Sequence, residues 1–197
     1  YMIKALQEKI PSTSITIFSS NILEISNDSI AEYDKVIGNL PYYISSEILI
    51  KMTKTIKNQK ELHFMLQKEV AERIASSTHS KSYGRLSVML QYFFEIDLLF
   101  DIQPESFSPS PKVTSSLVRL IAKKNYKNKV KNINNFEKLL KTSFAQKRKT
   151  IKNNLKSMLN DNDLNILGVN PQDRAEMLTL SDFVRIENYI FDKKILD

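Results

Sequence analysis

The chain contains no cysteine, which excludes disulfides and thiolate zinc sites. His63 and His79 are its only imidazoles, too few for a multi-histidine metal site, and no metal is expected. Glycine is scarce: three residues in 197, against about 7% in ordinary proteins. They stand alone at Gly38, Gly84 and Gly168. Neither G-x-G-x-x-G nor G-x-x-x-x-G-K can be written anywhere, so the sequence holds no glycine loop to cradle a cofactor. No run approaches the ~20 apolar residues of a spanning helix, and Tyr1 does not open a signal peptide. With 42% hydrophobic and 26% charged residues, the chain is too apolar for a disordered tail and too polar for a membrane bundle. A soluble, cytoplasmic protein without a membrane partner is expected.

What is abundant is positive charge, and it is unevenly placed. The net charge is +7. Residues 121–160 hold twelve lysines and arginines against one acid, Glu137, for +11; the remainder has 17 basic and 21 acidic residues, for −4. Uniform lysine enrichment would raise both parts alike, so a change of sign points to a polyanion-binding surface. The asymmetry does not separate RNA from DNA or from an acidic membrane.

Along the chain, residues 2–9 read as the end of a helix stopped by Pro11. Segments 14–18 (SITIF) and 33–38 (YDKVIG) read as short strands. Residues 45–56 space Ile48, Leu49, Met52 and Ile56 as a helix, with Ser45 or Ser46 as cap. Residues 62–66 (LHFML) read as the apolar core of a strand buried in a parallel sheet. A helix at 68–75, a polar loop at 76–83 and an apolar segment at 86–94 follow. Residues 96–102 and 115–121 are strand-like, and the prolines of 104–111 forbid regular structure between them. Beyond a lysine-rich linker at 122–132 only helices are expected, at 135–144, 148–159, 163–167 and 181–192. This pattern predicts an open α/β sheet over 1–122 and a small helical domain over 123–197.

The expected strand 33–38 runs directly into Asn39-Leu40-Pro41-Tyr42, at a sheet edge where open α/β folds place ligands. These four residues suit one task. The exocyclic amine of adenine is a poor nucleophile because its lone pair is delocalised into the ring. Two acceptors, one per N–H, pull the nitrogen toward tetrahedral geometry and free that pair. The Asn39 side-chain oxygen and the Leu40 carbonyl are such acceptors; Pro41 keeps Leu40 extended, so its carbonyl is not consumed in a helix. Tyr42 offers a ring face for an extruded base, worth ~1–3 kcal/mol. A second segment, Phe107-Ser108-Pro109-Ser110-Pro111-Lys112-Val113, reads as rigid and extended. It presents Phe107 as a candidate second aromatic wall and Lys112 as a candidate phosphate contact. Either motif alone is often mere turn or packing; the two in one chain, in this order, point to a site.

On these residues the sequence resembles the KsgA family of ribosomal RNA small-subunit adenine dimethyltransferases. The likeness lies in NLPYYIS (39–45), HFMLQKEVAERI (63–74), SKSYGRLSVM (80–89), FSPSPKVTSSLVRL (107–120) and FAQKRKTIKNNL (144–155). The resemblance implies a Rossmann-like methyltransferase sheet followed by a helical RNA-binding domain. It implies transfer of methyl groups from S-adenosylmethionine to N6 of two adjacent adenosines in the 3′-terminal hairpin of 16S rRNA, on a pre-30S particle, by a monomer. Asn39, Leu40, Pro41, Tyr42 and Phe107 would hold the target adenine, and Asn21, Ile22 and Asn39 would face the cofactor. Two features depart from the family. Its glycine-rich cofactor turn and ribose-binding acid have no counterpart, so Tyr1 is expected to fall just after that acid, inside the domain. Where the family has an aspartate near the cofactor adenine, this chain has Asn21.

Arg148, Lys152 and Lys156 recur at i, i+4 and i+8 with Lys147 and Lys149 beside them. Opposite lie Ile151, Leu155, Met158 and Leu159, so a docked amphipathic helix with its basic side turned to rRNA is expected. Glu69 and Arg73 read as an i,i+4 ion pair, and Tyr83-Gly84-Arg85 as a turn with Arg85 toward RNA or substrate. His63 reads as a satisfied core residue and His79 as a loop residue. Two other readings stay open: a non-catalytic RNA-binding assembly factor on the same fold, and an Erm-type 23S rRNA methyltransferase, against which the form of 144–155 argues. The 197-residue chain alone is expected to show no S-adenosylmethionine binding by calorimetry; tight binding would contradict the placement of Tyr1 inside the cofactor domain.

Overall fold

In a computed structural model, residues 16–56, 61–124 and 129–195 are described. They form a four-stranded mixed sheet, ordered β1-β2-β4-β3, with helices against one face and a helical cluster beyond. The strands are β1 (Lys35–Asn39), β2 (Glu61–Gln67), β3 (Phe94–Ile102) and β4 (Ser115–Ala122). β1 pairs parallel with β2, whereas β2–β4 and β4–β3 are antiparallel. The helices before the linker are α1 (Asn27–Ala31), α2 (Ser45–Lys54), α3 (Lys68–Ala75) and α4 (Arg85–Phe93). After it come α5 (Ile133–Ser143), α6 (Ile151–Leu155), α7 (Asp161–Ile166) and α8 (Leu180–Asp192). No helix among the described residues is long and apolar enough to cross a membrane.

The helices cover the sheet face carrying Leu62, Phe64, Leu66, Val118 and Leu120, all buried. α3 packs on β2, β3 and β4, and α4 lies between α2 and α3 on one side and the helical cluster on the other. Rings join the two halves: Tyr92 of α4 meets Phe136 of α5 at 4.9 Å, and Tyr83 meets Phe144 edge-on at 6.4 Å. Offset or edge contacts of this kind add to the area they bury.

Several expectations are corrected. β2 alternates half-exposed and buried residues instead of being buried on both faces; it has a parallel neighbour on one side only. His63, on its open face, is not a satisfied core residue: Nδ1 has no partner, and Nε2 lies 3.4 Å from a Glu61 carboxylate oxygen. Thr16, Ile17 and Phe18 form no strand, and α1 occupies a stretch where no helix was expected. The expected helix at 2–9, residues 14–15 and linker positions 125–128 lie outside the described residues. Neither Ser45 nor Ser46 caps α2; the cap position is Ile44, and the Ser45 hydroxyl donates to the Tyr42 carbonyl at 3.1 Å.

The largest departure is the basic helix expected at 148–159, which is only five residues long. The Ile151 N–H goes to the Asp173 carbonyl and the Lys152 N–H to the Pro171 carbonyl, so a neighbouring loop sets the start. Tight turns to the Leu155 carbonyl close its end, and Asn160 at once caps α7. Short polar residues compete with a helix in this way.

The helical half is fastened through one buried acid. Glu187 of α8 accepts the Lys131 and Asn132 N–H groups, each at 2.9 Å, just ahead of α5. Burial pushes its carboxyl above the usual range, and these two donors draw it back. Glu187→Ala takes the acceptor from the Asn132 N–H, while the Lys131 N–H keeps the Asn188 side-chain oxygen at 3.1 Å. It is expected to lower the unfolding free energy by about 1–3 kcal/mol in urea melts. Glu187→Gln, which keeps one acceptor, loses less than half of that; equal stability of all three proteins would contradict this role.

Candidate functional site

Strand register brings the two sequence motifs to one rim of the sheet. β1 ends at Asn39 opposite Met65; β2 ends at Gln67 opposite Ser115, and Ser115 also faces Ile102 at the end of β3. The chain after β1 and the chain before β4 therefore lie at the same rim of the sheet, on either side of the end of β2.

Leu40 sets the geometry of the first loop. Its side chain is 7% exposed, while Asn39 and Pro41 on either side are exposed. Its N–H donates to the Met65 carbonyl at 3.2 Å, extending the ladder by one bond. A Cβ on Gly38 would stand 3.0 Å from the Leu40 side chain and 3.2 Å from the Phe64 ring. The absence of that Cβ lets leucine and phenylalanine close over the strand end. Among the described residues, no hydrogen bond consumes the Asn39 side-chain amide or the Leu40 carbonyl oxygen. Pro41, at φ −59° and ψ 125°, then turns the chain into a 3-10 turn, Tyr42–Ile44, that leads into α2.

Tyr42 is half-buried, and its hydroxyl lies 2.6 Å from Ser115 Oγ. Tyr43, which sequence reasoning passed over, is 86% exposed beside it; the doubled tyrosine was the available signal. Phe107 is half-buried and ends the 3-10 turn Pro104–Ser106. Its segment bends, with a cis Ser108–Pro109 peptide and the Ser110 hydroxyl donating back to the Pro104 carbonyl, so the expected straight extension is not found. Lys112 is exposed on the same loop. Behind the rim, Lys68 pairs with Asp101 at 2.6 Å and the Ser116 hydroxyl donates to the other Asp101 oxygen at 2.6 Å. Hydrogen bonding to Lys68 holds the Asp101 carboxyl below, and the Lys68 ammonium above, their ordinary values.

Asn21 and Ile22 lie on a turn tied to α2: the Lys51 ammonium donates to the Leu23 and Ile25 carbonyls at 3.1 and 2.6 Å. Asn21 accepts the Leu23 N–H and donates to Glu24, leaving one carbonyl lone pair and one amide hydrogen exposed. Arg85, the first residue of α4, borders a groove of about 430 Å³ with Ser46, Glu47, Ile50, Arg73 and Leu86. Arg73 is held by Glu69 at 2.5 Å, the expected i,i+4 pair. His79 sits in a loop, its N–H on the Glu176 carbonyl.

The basic residues do not share one helical stripe. Lys147, Arg148 and Lys149 form an exposed turn ahead of α6, Lys152 lies within it, and Lys156 follows its last residue. Lys152 is engaged with Asp161 at 3.1 Å, whereas the other four have no carboxylate partner among the described residues.

Comparison with known proteins adds to this geometry. A family model described as ribosomal RNA adenine dimethylase matches residues 1–192. The chain is 44% identical over 181 residues to ribosomal RNA small subunit methyltransferase A of Neisseria gonorrhoeae, covering 92% of this chain and 70% of that protein. It is 52% identical over 158 residues to the protein of the same name from Francisella tularensis subsp. novicida, covering 79% and 60%. Among solved structures, a dimethyladenosine transferase from Plasmodium falciparum superposes with a TM-score of 0.71 at 23% identity, over 98% of this chain and 78% of that one. The 23S rRNA methyltransferase ErmE does so with a TM-score of 0.65 at 19% identity, over 96% and 78%. At these identities the two structures speak for the fold alone.

Proposed function

The chain belongs to the ribosomal RNA adenine dimethylase family, and we propose that it dimethylates N6 of two adjacent adenosines in the 3′-terminal hairpin of 16S rRNA, acting as a cytoplasmic monomer on a pre-30S particle. One observation carries the reading: the Asn39 amide and the Leu40 carbonyl stand unconsumed at a sheet rim, next to the half-exposed ring of Tyr42. Relatives that are small-subunit enzymes favour this target over the 23S target of an Erm-type enzyme.

The chain's own residues do the positioning. Asn39 Oδ1 and the Leu40 carbonyl accept the two hydrogens of the adenine amine, drawing its lone pair out of conjugation. These bonds improve as the nitrogen becomes tetrahedral, so they stabilise the transition state more than the bound substrate. The Tyr42 ring stacks on one face of the extruded base, Phe107 closes the other, and Pro41 keeps the turn from rotating the Leu40 carbonyl away. No residue need act as a strong base, because a methylated, positively charged amine gives its proton to water. S-adenosylmethionine, when bound, supplies an electrophilic methyl group on a cationic sulfur. The free lone pair and hydrogen of Asn21, on a turn pinned by Lys51, fit the amine and ring nitrogen of its adenine, with Ile22 and Asn39 beside it.

We assign residues 1–122 to the methyltransferase domain and 123–197 to a helical RNA-binding domain. In the latter, Lys147, Arg148, Lys149 and Lys156 meet rRNA phosphates, Lys152 does so on leaving Asp161, and Lys112 does so from the first domain. In the protein as its gene encodes it, Tyr42→Ala is expected to lower turnover roughly 10–100-fold, the worth of one stacked base, with little change in RNA affinity. An equal loss in affinity and turnover would mean that Tyr42 only helps to hold RNA. Changing Lys147, Arg148 and Lys149 together to glutamine should weaken binding and reduce the log–log salt slope by about 2; an unchanged slope would remove the turn from the interface.

A further inference from the structure

Tyr42 sits in a single 3-10 turn whose own backbone bond, from the Ile44 N–H to the Pro41 carbonyl, is 3.2 Å long. Such short turns have poor hydrogen-bond geometry and do little to fix a side chain. The residue is instead held from outside at both ends. Ser45, 1% exposed, donates its hydroxyl to the Tyr42 carbonyl. Ser115, 0% exposed, meets the phenol at 2.6 Å.

The two ends of the Tyr42–Ser115 bond differ in rigidity. Ser115 is the first residue of β4, with Gln67 of β2 on one side and Ile102 of β3 on the other. It cannot shift without disturbing two ladders. The preceding residue is fixed as well, since the Thr114 carbonyl takes the Lys68 N–H at 2.9 Å. The loop that ends here carries Phe107 and Lys112. One hydroxyl–hydroxyl bond therefore joins the loop after β1 to the loop before β4. The phenol of a half-exposed ring finds hydrogen bonds in water, and alanine would fill a buried strand position with no polar group to satisfy. A serine there, aimed at the ring tip, is best explained by the orientation it imposes.

We propose that Ser115 is a positioning residue for the base-stacking tyrosine: its hydroxyl sets the plane of the Tyr42 ring and its spacing from the Phe107 loop. The proposal rests on the stacking role of Tyr42 given above. The test uses Ser115→Ala, Tyr42→Phe and the double variant, each made in the protein as its gene encodes it and assayed for dimethylation of pre-30S particles. Each single change is expected to lower kcat roughly threefold to tenfold, the worth of one hydrogen bond, with KM for the particle unchanged. The double variant should be no worse than the poorer single one, because both changes remove the same bond. As a readout apart from turnover, a 16S-type hairpin with 2-aminopurine at the target position should be quenched less by either variant than by the wild type.

Multiplying losses in the double variant, or a Tyr42→Phe protein with wild-type kcat and quenching, would overturn the proposal. If Ser115→Ala fails to fold, Tyr42→Phe alone still decides it. A Tyr42→Ala protein with full turnover would sink the stacking role itself. An inactive Tyr42→Ala beside an unimpaired Tyr42→Phe would sink only the part assigned to Ser115.

Discussion

The side chain of Leu40 enters the core while its backbone stays at the rim, and the site follows from that division. A buried leucine between two exposed residues cannot rotate without uncovering apolar surface, at roughly 1.5–3 kcal/mol for a side chain of this size. Its burial fixes the direction of its carbonyl and, through the peptide before it, the place where Asn39 stands. Gly38 makes room for it against Phe64, and the ladder bond to Met65 sets its height. Beyond this point the chain has only a proline and a three-residue turn to aim an aromatic ring, so the ring is tied to the neighbouring strand. Preorganisation of this kind suits a reaction in which geometry, and not a strong acid or base, supplies most of the rate.

Much of this was legible in the sequence. Apolar and β-branched runs between polar turns place 33–38, 62–66, 96–102 and 115–121 on the four strands. Segment 62–66, however, reads as buried on both faces where the structure alternates, and the strand expected at 14–18 is not found at residues 16–18. The motif 39–42 is readable because proline and the strand end restrict its backbone before any tertiary contact forms. Helix 68–75 is found at its true bounds, since a clean apolar spacing survives in the fold.

What was not legible has tertiary causes. The i, i+4, i+8 spacing of Arg148, Lys152 and Lys156 suggests one helix, yet the carbonyls of residues 171 and 173 start it late and tight turns onto the Leu155 carbonyl end it early. A period in sequence says nothing about a partner twenty residues away. Ser115 looks like an ordinary strand residue until the register sets it beside Tyr42, 73 positions earlier. Nothing in the sequence singles out Glu187, and only packing shows it buried and bonded to the backbone just ahead of α5. The cation-rich turn at 147–149 keeps its charge outward without the helix, so the sign asymmetry of the chain survives a wrong secondary structure.

The most direct measurement is primer extension across the 3′-terminal hairpin of small-subunit rRNA from cells lacking this gene, complemented with the wild-type protein or with Asn39→Ala. Two adjacent dimethyladenosine stops should vanish on deletion, return with the wild type and stay absent with Asn39→Ala. Stops that persist in the deletion strain, or that Asn39→Ala restores in full, would contradict an adenine amine held by that side chain.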